Sequence, residues 1–333
     1  MAATNNQSTG AVGPEPFLKS GDDAVPVIPV DGLTSDPRQW VCLYQGTWVL
    51  APLVSGIVSI QRAFTPRRGD VVLASPPKCG TTWLKALAFA TMARRAHPPG
   101  AADAAHPLLR LNPHQCVPFM ERLFTAGQEG LMEALPSPRL MSTHMHHSIL
   151  PTSISKNPAD CKIIYICRDP KDMLVSFWHF AKKINPDILF SDMFEAACNG
   201  TSVSGPIWEH ILGYWNASKE SPETVLFLRY EEMLRDPAGN IRKLARFVGQ
   251  PFSPAEEAAG VVAEIVRLCS IDKLKSLEVN KPGSRRSFAN DWYFRRGGAG
   301  DWANHMTPDM ARRMDAIVEE KLSGSGIPFA CTD

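Results

Sequence analysis

The sequence predicts a single α/β domain, a central and mainly parallel sheet flanked by helices. Three observations predict it. Short apolar runs, DVVLAS (70–75), CKIIYIC (161–167) and TVLFLRYEEM (224–233), are each followed by a loop and a helix-forming stretch, the alternation that makes parallel strands with helical crossovers. CKIIYIC and the VVLA and VLFL cores of the other two are apolar almost without a break, as strands covered on both faces must be. No internal repeat and no convincing linker divides the 333 residues, a length that one large α/β core can use.

Taken in chain order, residues 1–25 are polar, small and rich in Gly and Pro, the composition of a disordered tail; residues 26–333 are assigned to the domain. Between Arg38 and Arg62 there is no charge, and WVCLYQGTWVLAPLVSGIVSI is long enough to span a bilayer. Gln45, Gly46 and Pro52 interrupt it, and the first core strand begins ten residues beyond Ile60. A buried helix and loop is therefore expected there rather than a membrane anchor. DVVLAS then leads through PPKCG into TTWLKALAFATMARR (81–95), apolar on nearly all sides and made of good helix formers. RLMSTH (139–144) reads as another buried strand. CKIIYIC runs through RDP into DMLVSFWHFAKK, with Pro170 suited to a helix start. After TVLFLRYEEM comes a helix from about Pro237 to Val248, closed by Gly249. The last third carries a helix around 254–269, an irregular basic stretch at 281–300 and a final helix from Pro308 to Leu322 capped by Thr307.

Charge narrows the function. Lys plus Arg (35) against Asp plus Glu (34) leaves a net +1, without the basic excess of a nucleic-acid binder, so any anion site must be local. The eight cysteines include no CxxC pair, and MAATNNQSTG lacks the charged-then-apolar pattern of a secretory signal. A reducing compartment, the cytoplasm, is the expectation.

The strongest chemical signal is SPPKCGTTW (75–83). A strand ending in a Lys and Gly loop that opens a Thr-Thr helix presents backbone N–H groups, two hydroxyls and an ammonium to one point, an anion cradle favoured by the helix dipole. It lacks Walker A spacing, because Lys78 precedes Gly80. The plain alternative is an ordinary turn with Thr caps. Arg168 follows CKIIYIC directly, at the carboxyl edge of the sheet, where it either grips a phosphate in bidentate fashion or pairs with Asp169 or Asp172. From Lys281 to Arg296 five basic residues (Lys281, Arg285, Arg286, Arg295, Arg296) face one acid, Asp291, and alternate with Phe288, Trp292, Tyr293 and Phe294 before RRGG. That is more like a loop folding over a charged ligand than a solvated face. His144, His146 and His147 invite a zinc reading, but no Cys or carboxylate cluster with ligand spacing lies near them; His146 and His147 are read as pocket rim or surface.

PKCGTTW resembles PKSGTTW, the 5′-phosphosulfate loop of the cytosolic sulfotransferases, enzymes that use 3′-phosphoadenosine 5′-phosphosulfate (PAPS). YICRDPKDMLVSFWHF (165–180) is similar to that family's 3′-phosphate segment, and YFRRGGAGDWANHMT (293–307) resembles its RKGxxGDWKNHFT signature. YQGTW (44–48) and LEVNK (277–281) look like the plant branch. The resemblance covers about residues 40 to 325. It implies that Lys78, Cys79, Gly80, Thr81 and Thr82 hold the phosphosulfate, that Arg168, Ser176, Arg295, Arg296 and Gly297 hold the 3′-phosphate, and that Trp83 and Tyr230 take the adenine. Spacing alone does not bring Ser176 to the phosphate. Trp83 and Tyr230 are otherwise read as core.

The resemblance also makes His144 the catalytic base and Lys78 a stabiliser of charge on the transferred group, with no metal ion. The chain departs from the family at Cys79 (Ser), His146 (Pro in the turn after the base), Ile271 (an aromatic on the adenine), Arg296 (Lys) and Ala303 (Lys). The expected function is sulfonate transfer to a hydroxyl of a small, largely apolar acceptor: a phenol, flavonoid, steroid-like or lipid-derived alcohol. Trp40, Tyr44, Trp48, His114, Phe119 and Met145–Ile149 are candidates for its pocket, or are core. A catalytically silent PAPS-binding module and an atypical phosphotransferase are the alternatives. No nucleic acid or membrane is an expected partner, and because the dimerisation pattern KxxxTVxxxE is absent from ANHMTPDMARRM, a monomer is expected.

Overall fold

A computed structural model describes residues 13–18, 40–100, 106–156, 161–282 and 289–327. Its centre is a four-stranded sheet, β3 (Asp70–Ala74), β4 (Leu140–Thr143), β5 (Cys161–Cys167) and β6 (Val225–Arg229), in the order β4-β3-β5-β6 with every neighbouring pair parallel. Alternate side chains of each strand enter different cores. Val72 and Ala74 of β3 join Met141, Ile163 and Tyr165 on one face, while Val71 and Leu73 join Leu140, Ile164 and Leu226 on the other. The helices Pro170–Ile184 and Ile207–Glu220 cover the first face; Thr81–Met92, Pro237–Phe247 and Val261–Leu268 cover the second. Covering both faces is what allows these strands to be apolar throughout.

All four strands run the same way, so their carboxyl ends form one edge. Each ends at a residue singled out by the sequence: β4 before His144, β3 before Ser75 and the PPKCG loop, β5 before Arg168, β6 before Tyr230. Open parallel sheets bind ligands at this edge. At the opposite edge a buried pair, Arg139 and Asp70, ties the start of β3 to the residue before β4.

Several expectations need correction. The uncharged 40–60 stretch carries the expected helix only from Val54, over Val54–Ala63; what precedes it is not a loop but an antiparallel hairpin, β1 (Val41–Tyr44) and β2 (Thr47–Leu50). Gln45 and Gly46 both have positive φ, +46° and +82°, as a tight two-residue hairpin turn requires. Among the described residues no helix is long and apolar enough to cross a membrane. The strand read over 224–233 stops at Arg229, and Tyr230–Arg235 is helical. The helix expected at 254–269 breaks at Gly260, giving Pro254–Ala258 and Val261–Leu268. Residues 13–18 do not behave as a tail: Phe17 and Leu18 donate backbone hydrogen bonds to the carbonyls of Cys116 and Gln115. The rest of the 1–25 stretch lies outside the described residues. Met145 and Ile149 are core, and Tyr44 is tied to Gln61.

Candidate active site

A cavity of about 440 Å³ opens along the carboxyl edge of the sheet. Lys78, Gly80, Thr81, Thr82, Trp83, His144, Arg168, Ser176, Tyr230, Arg295, Arg296 and Gly297 all line it. Cys79 does not; its thiol is fully buried in the core, and burial pushes its pKa far up while the Arg168 backbone N–H beside it opposes that shift.

The loop after β3 is held in shape by backbone conformation. Lys78 has φ +67° and Gly80 φ +95°, so the chain bends twice before the Thr81–Met92 helix begins. A Cβ on Gly80 would stand 2.6 Å from the Tyr230 ring, which lets the aromatic close over the loop. The two hydroxyls do not converge on one point, as the motif suggested. Thr81 pairs with Ser75 Oγ at 2.7 Å, whereas Thr82 pairs with His114 Nε2 at 2.9 Å. Burial, then the neighbouring charges of Arg295, Lys183 and Arg168, lower the Lys78 pKa to about 7, and its ammonium sits 4.4 Å from the centre of the Phe180 ring. A cation held so unfavourably is a receptor for an anion.

Arg168 is buried and faces Tyr230 at 4.7 Å, with one terminal nitrogen donating to Gly298 O at 2.7 Å and lying 3.3 Å from Asp172. Of the two sequence alternatives for Arg168, the pair with Asp172 is present, and the residue also lines the cavity. Asp172 also accepts from the Gly300 and Trp302 backbone N–H groups at 2.7 and 3.0 Å, which pins the basic segment over the sheet edge. Asp301 takes both Arg295 and Arg296, and Asn304 at 3.0 Å. Burial alone would raise the Asp301 carboxyl; these three partners override it and hold it well below the carboxylate range. Even so, Arg168 Nε and Arg295 Nε are buried without a hydrogen-bond partner. Buried donors left unsatisfied mark a place where an acceptor belongs. Arg285, Arg286 and Phe288 lie outside the described residues.

Trp83 and Tyr230 meet edge to face at 5.7 Å. With Ile271, Leu274 and Phe294 they wall a slot. A Cβ on Gly297 (φ +73°) would collide with Ile271 at 2.4 Å, so the smaller-than-aromatic residue at 271 is matched by a backbone that packs directly on it.

His144, half-buried, is clamped. Its Nδ1 lies 2.7 Å from Ser75 O, so the ring proton is on Nδ1 and the lone pair of Nε2 remains available. Its backbone N–H donates to Glu121 Oε1 at 2.7 Å, and its ring rests against Phe119 at 4.7 Å. Burial, with smaller repulsion from Lys85, Arg122 and Lys78, lowers its pKa to about 3 against the opposing Ser75 carbonyl, which keeps it neutral. Glu121 is itself buried, and burial raises it to about 7 against its hydrogen bonds from His144 and Thr143. His146 is neither rim nor surface. It is 2% exposed, bonds Ser204 O at 3.0 Å and packs on His210. Nor do the three histidines gather around one point: the side chains among the described residues close enough to share an ion are His179, Asp301 and His305, and Asp301 is committed to the arginines.

Beyond His144 the cavity turns apolar, lined by Trp40, Leu50, Pro52, Leu53, Phe119, Phe177, Ala181 and Ile184. Trp40 and Phe119 were expected there; Tyr44 and Trp48 are not part of it. The hairpin residues Leu50 to Leu53 were missed because the hairpin was. Ser75, Lys85 and Glu121 were also missed, since their partners are distant in sequence.

Comparison with known proteins agrees with this geometry. A family model described as "Sulfotransferase domain" matches residues 68–326. Cytosolic sulfotransferase 5 of Arabidopsis thaliana is 44% identical over 87% of this chain and 90% of its own length. Flavonol 3-sulfotransferase of Flaveria bidentis is 44% identical over 85% and 91%. Among solved structures, a putative steroid sulphotransferase of Arabidopsis thaliana superposes with TM-score 0.70 at 38% identity, covering 87% of this chain and 89% of that one. A mouse sulfotransferase complexed with PAP gives TM-score 0.66 at 26% identity, covering 86% and 96%.

Proposed function

This chain belongs to the plant cytosolic sulfotransferases, PAPS-dependent enzymes, and on that premise we propose that it moves the sulfonate of PAPS to the hydroxyl of a small apolar acceptor in the cytoplasm, with His144 as base. The observation that carries this reading is a cavity lined together by a desolvated Lys78, by Arg168 and Arg295, and by His144 with Nε2 unprotonated. PAPS fits these residues. Its anionic groups suit the cations Lys78, Arg168, Arg295 and Arg296 that line the cavity, and its adenine suits the Trp83, Tyr230 and Ile271 slot.

In the proposed reaction the acceptor oxygen forms a bond to sulfur as the bond from sulfur to the bridging oxygen breaks, and the bridging electron pair stays on the 5′-phosphate, leaving PAP. His144 Nε2 takes the acceptor proton. Its Nδ1–H bond to Ser75 O stabilises the resulting imidazolium. Lys78 and the N–H groups opening the Thr81–Met92 helix stabilise charge on the leaving oxygen. Because these groups supply the neutralisation, turnover in the presence of a chelator is expected.

The apolar far end suits a planar or terpenoid alcohol; a flavonol is one such acceptor, named by the relative from Flaveria bidentis. The test is incubation with PAPS and a panel of flavonols, steroids and hydroxylated lipid-derived acids, scored by mass for one added sulfonate and by PAP formed. PAPS binding without product from any acceptor would favour a silent binding module. A rise in Tm with ATP but not PAPS would favour a phosphotransferase.

A further inference from the structure

We propose that Lys85 and His114 are positioning residues that fix the Thr82 hydroxyl as a hydrogen-bond donor toward the 5′-phosphate end of the nucleotide. The inference rests on the PAPS reading above and concerns buried groups to which that mechanism gives no task. Lys85 sits inside an otherwise apolar helix and is 1% exposed. Burial lowers its pKa to about 7, and a nitrogen in such a place needs acceptors for its N–H groups. Its two acceptors are Val117 O at 3.0 Å and His114 Nδ1 at 3.1 Å.

The rest follows from counting protons. Burial, reinforced by Lys85 and Arg122, presses the His114 pKa well below its ordinary value, so the ring is neutral and carries one proton. The Lys85 nitrogen carries N–H groups to donate in either charge state, so we take Nδ1 as its acceptor and put the ring proton on Nε2, donated to Thr82 Oγ1 at 2.9 Å. Thr82 therefore accepts on its inner side, and its own proton is left to point elsewhere. Thr82 lines the cavity at the helix opening. Asn112 accepts from the His114 backbone N–H at 2.9 Å, and Tyr293 stacks on the imidazole face at 4.0 Å and 27°. Thr81, which instead faces Ser75, has no such chain behind it.

A donor fixed before reaction needs no reorganisation when charge appears, and here charge appears on the 5′-phosphate as the bond to sulfur breaks. The sequence placed His114 among acceptor-pocket candidates; it does line the cavity, and its hydrogen bond ties it to Thr82 at the helix opening.

The experiment is a double-mutant cycle in kcat at saturating PAPS, with PAPS Kd measured alongside. His114→Ala lowers kcat by about 10- to 50-fold with Kd within about three-fold, a loss of the kind expected for a weakened preorganised donor. In a Thr82→Val background the same change costs less than about two-fold, because the hydroxyl it acts through is gone. His114→Gln, which keeps an N–H able to reach Thr82, recovers most of the loss. If His114→Ala does not fold, His114→Phe, which retains the stack on Tyr293 but has no N–H, replaces it. An unchanged kcat, a full-size loss in the Thr82→Val background, or failure of Gln to recover activity overturns the proposal. Wild-type turnover in the same assay separates the two readings: without sulfonated product the function itself fails, whereas with product and an additive cycle only the Lys85–His114 role fails.

Discussion

The two ends of the cavity are built from different materials. At the proposed nucleotide end, Arg168 and Tyr230 follow core strands directly and Lys78 stands in the short loop after β3, with Arg295 fastened above them through Asp301 and Asp172. At the acceptor end, Leu50, Pro52 and Leu53 come from the hairpin and its exit, and Phe177, Ala181 and Ile184 from the later turns of one helix. The difference teaches where rigidity is needed. Desolvated charges must be placed to within fractions of an ångström or they cost more than they contribute. An apolar wall has only to exclude water and match a shape. His144 lies where the two meet.

That contrast can be broken or sharpened by substitution, beginning at the junction. His144→Ala is expected to reduce kcat by about 10²–10⁴-fold, the usual worth of a general base, while PAPS Kd changes little; more than roughly a tenth of wild-type kcat would falsify the assignment. Lys78→Ala comes next, with a loss in kcat of order 10²–10³-fold that exceeds the loss in PAPS affinity, because charge on the bridging oxygen grows only as the bond breaks. A change confined to Kd would make Lys78 an anchor and leave the helix N-terminus as the stabiliser.

Arg168→Ala should weaken PAPS by about 1.5–3 kcal/mol, roughly 10- to 150-fold, and leave an analogue lacking the 3′-phosphate nearly unaffected. Equal losses for both nucleotides would dissolve the division of labour inside the nucleotide end. At the other end, Ile184→Ala is expected to lower kcat/KM for the best acceptor by about 10-fold, the scale for truncation in an apolar pocket, with PAPS Kd unchanged. An effect on PAPS of the same size would mean that the two ends are not separable. The smallest effect belongs to Cys79→Ser. The thiol is sealed from the cavity beside the Arg168 backbone N–H, where a hydroxyl can accept, so kcat and Kd should both stay within about two-fold.

Much of the nucleotide end was legible because it is local. PKCGTTW after DVVLAS, Arg168 after CKIIYIC and Tyr230 after TVLFLR each place a chemical group at or just beyond a strand's carboxyl end, and parallel strands bring those ends to one edge, although the last strand was read too long. What escaped was non-local or small. Lys85 reads as a stray polar residue on an apolar helix until His114 is brought to it; Glu121 acquires meaning only beside His144; His146 looked like rim because the core of His210 and Ser204 that receives it arrives from residues about sixty positions later. The hairpin was hidden by uniformly apolar composition, although Gln45-Gly46 was its signal, and the acceptor wall was lost with it.

Ser75 deserves a final consequence. Its backbone N–H is paired to Thr143 O at 3.2 Å, its carbonyl holds the His144 ring, and its hydroxyl holds Thr81. The separation between His144, the proposed base, and the proposed phosphosulfate loop is thus dictated by the alignment of two neighbouring strands, β3 and β4, whose side chains are buried throughout. Sliding one strand by a residue would cost the whole core, so the catalytic spacing is insured by the part of the chain least able to drift. The acceptor wall can be remodelled, by selection or at the bench, without retuning that spacing.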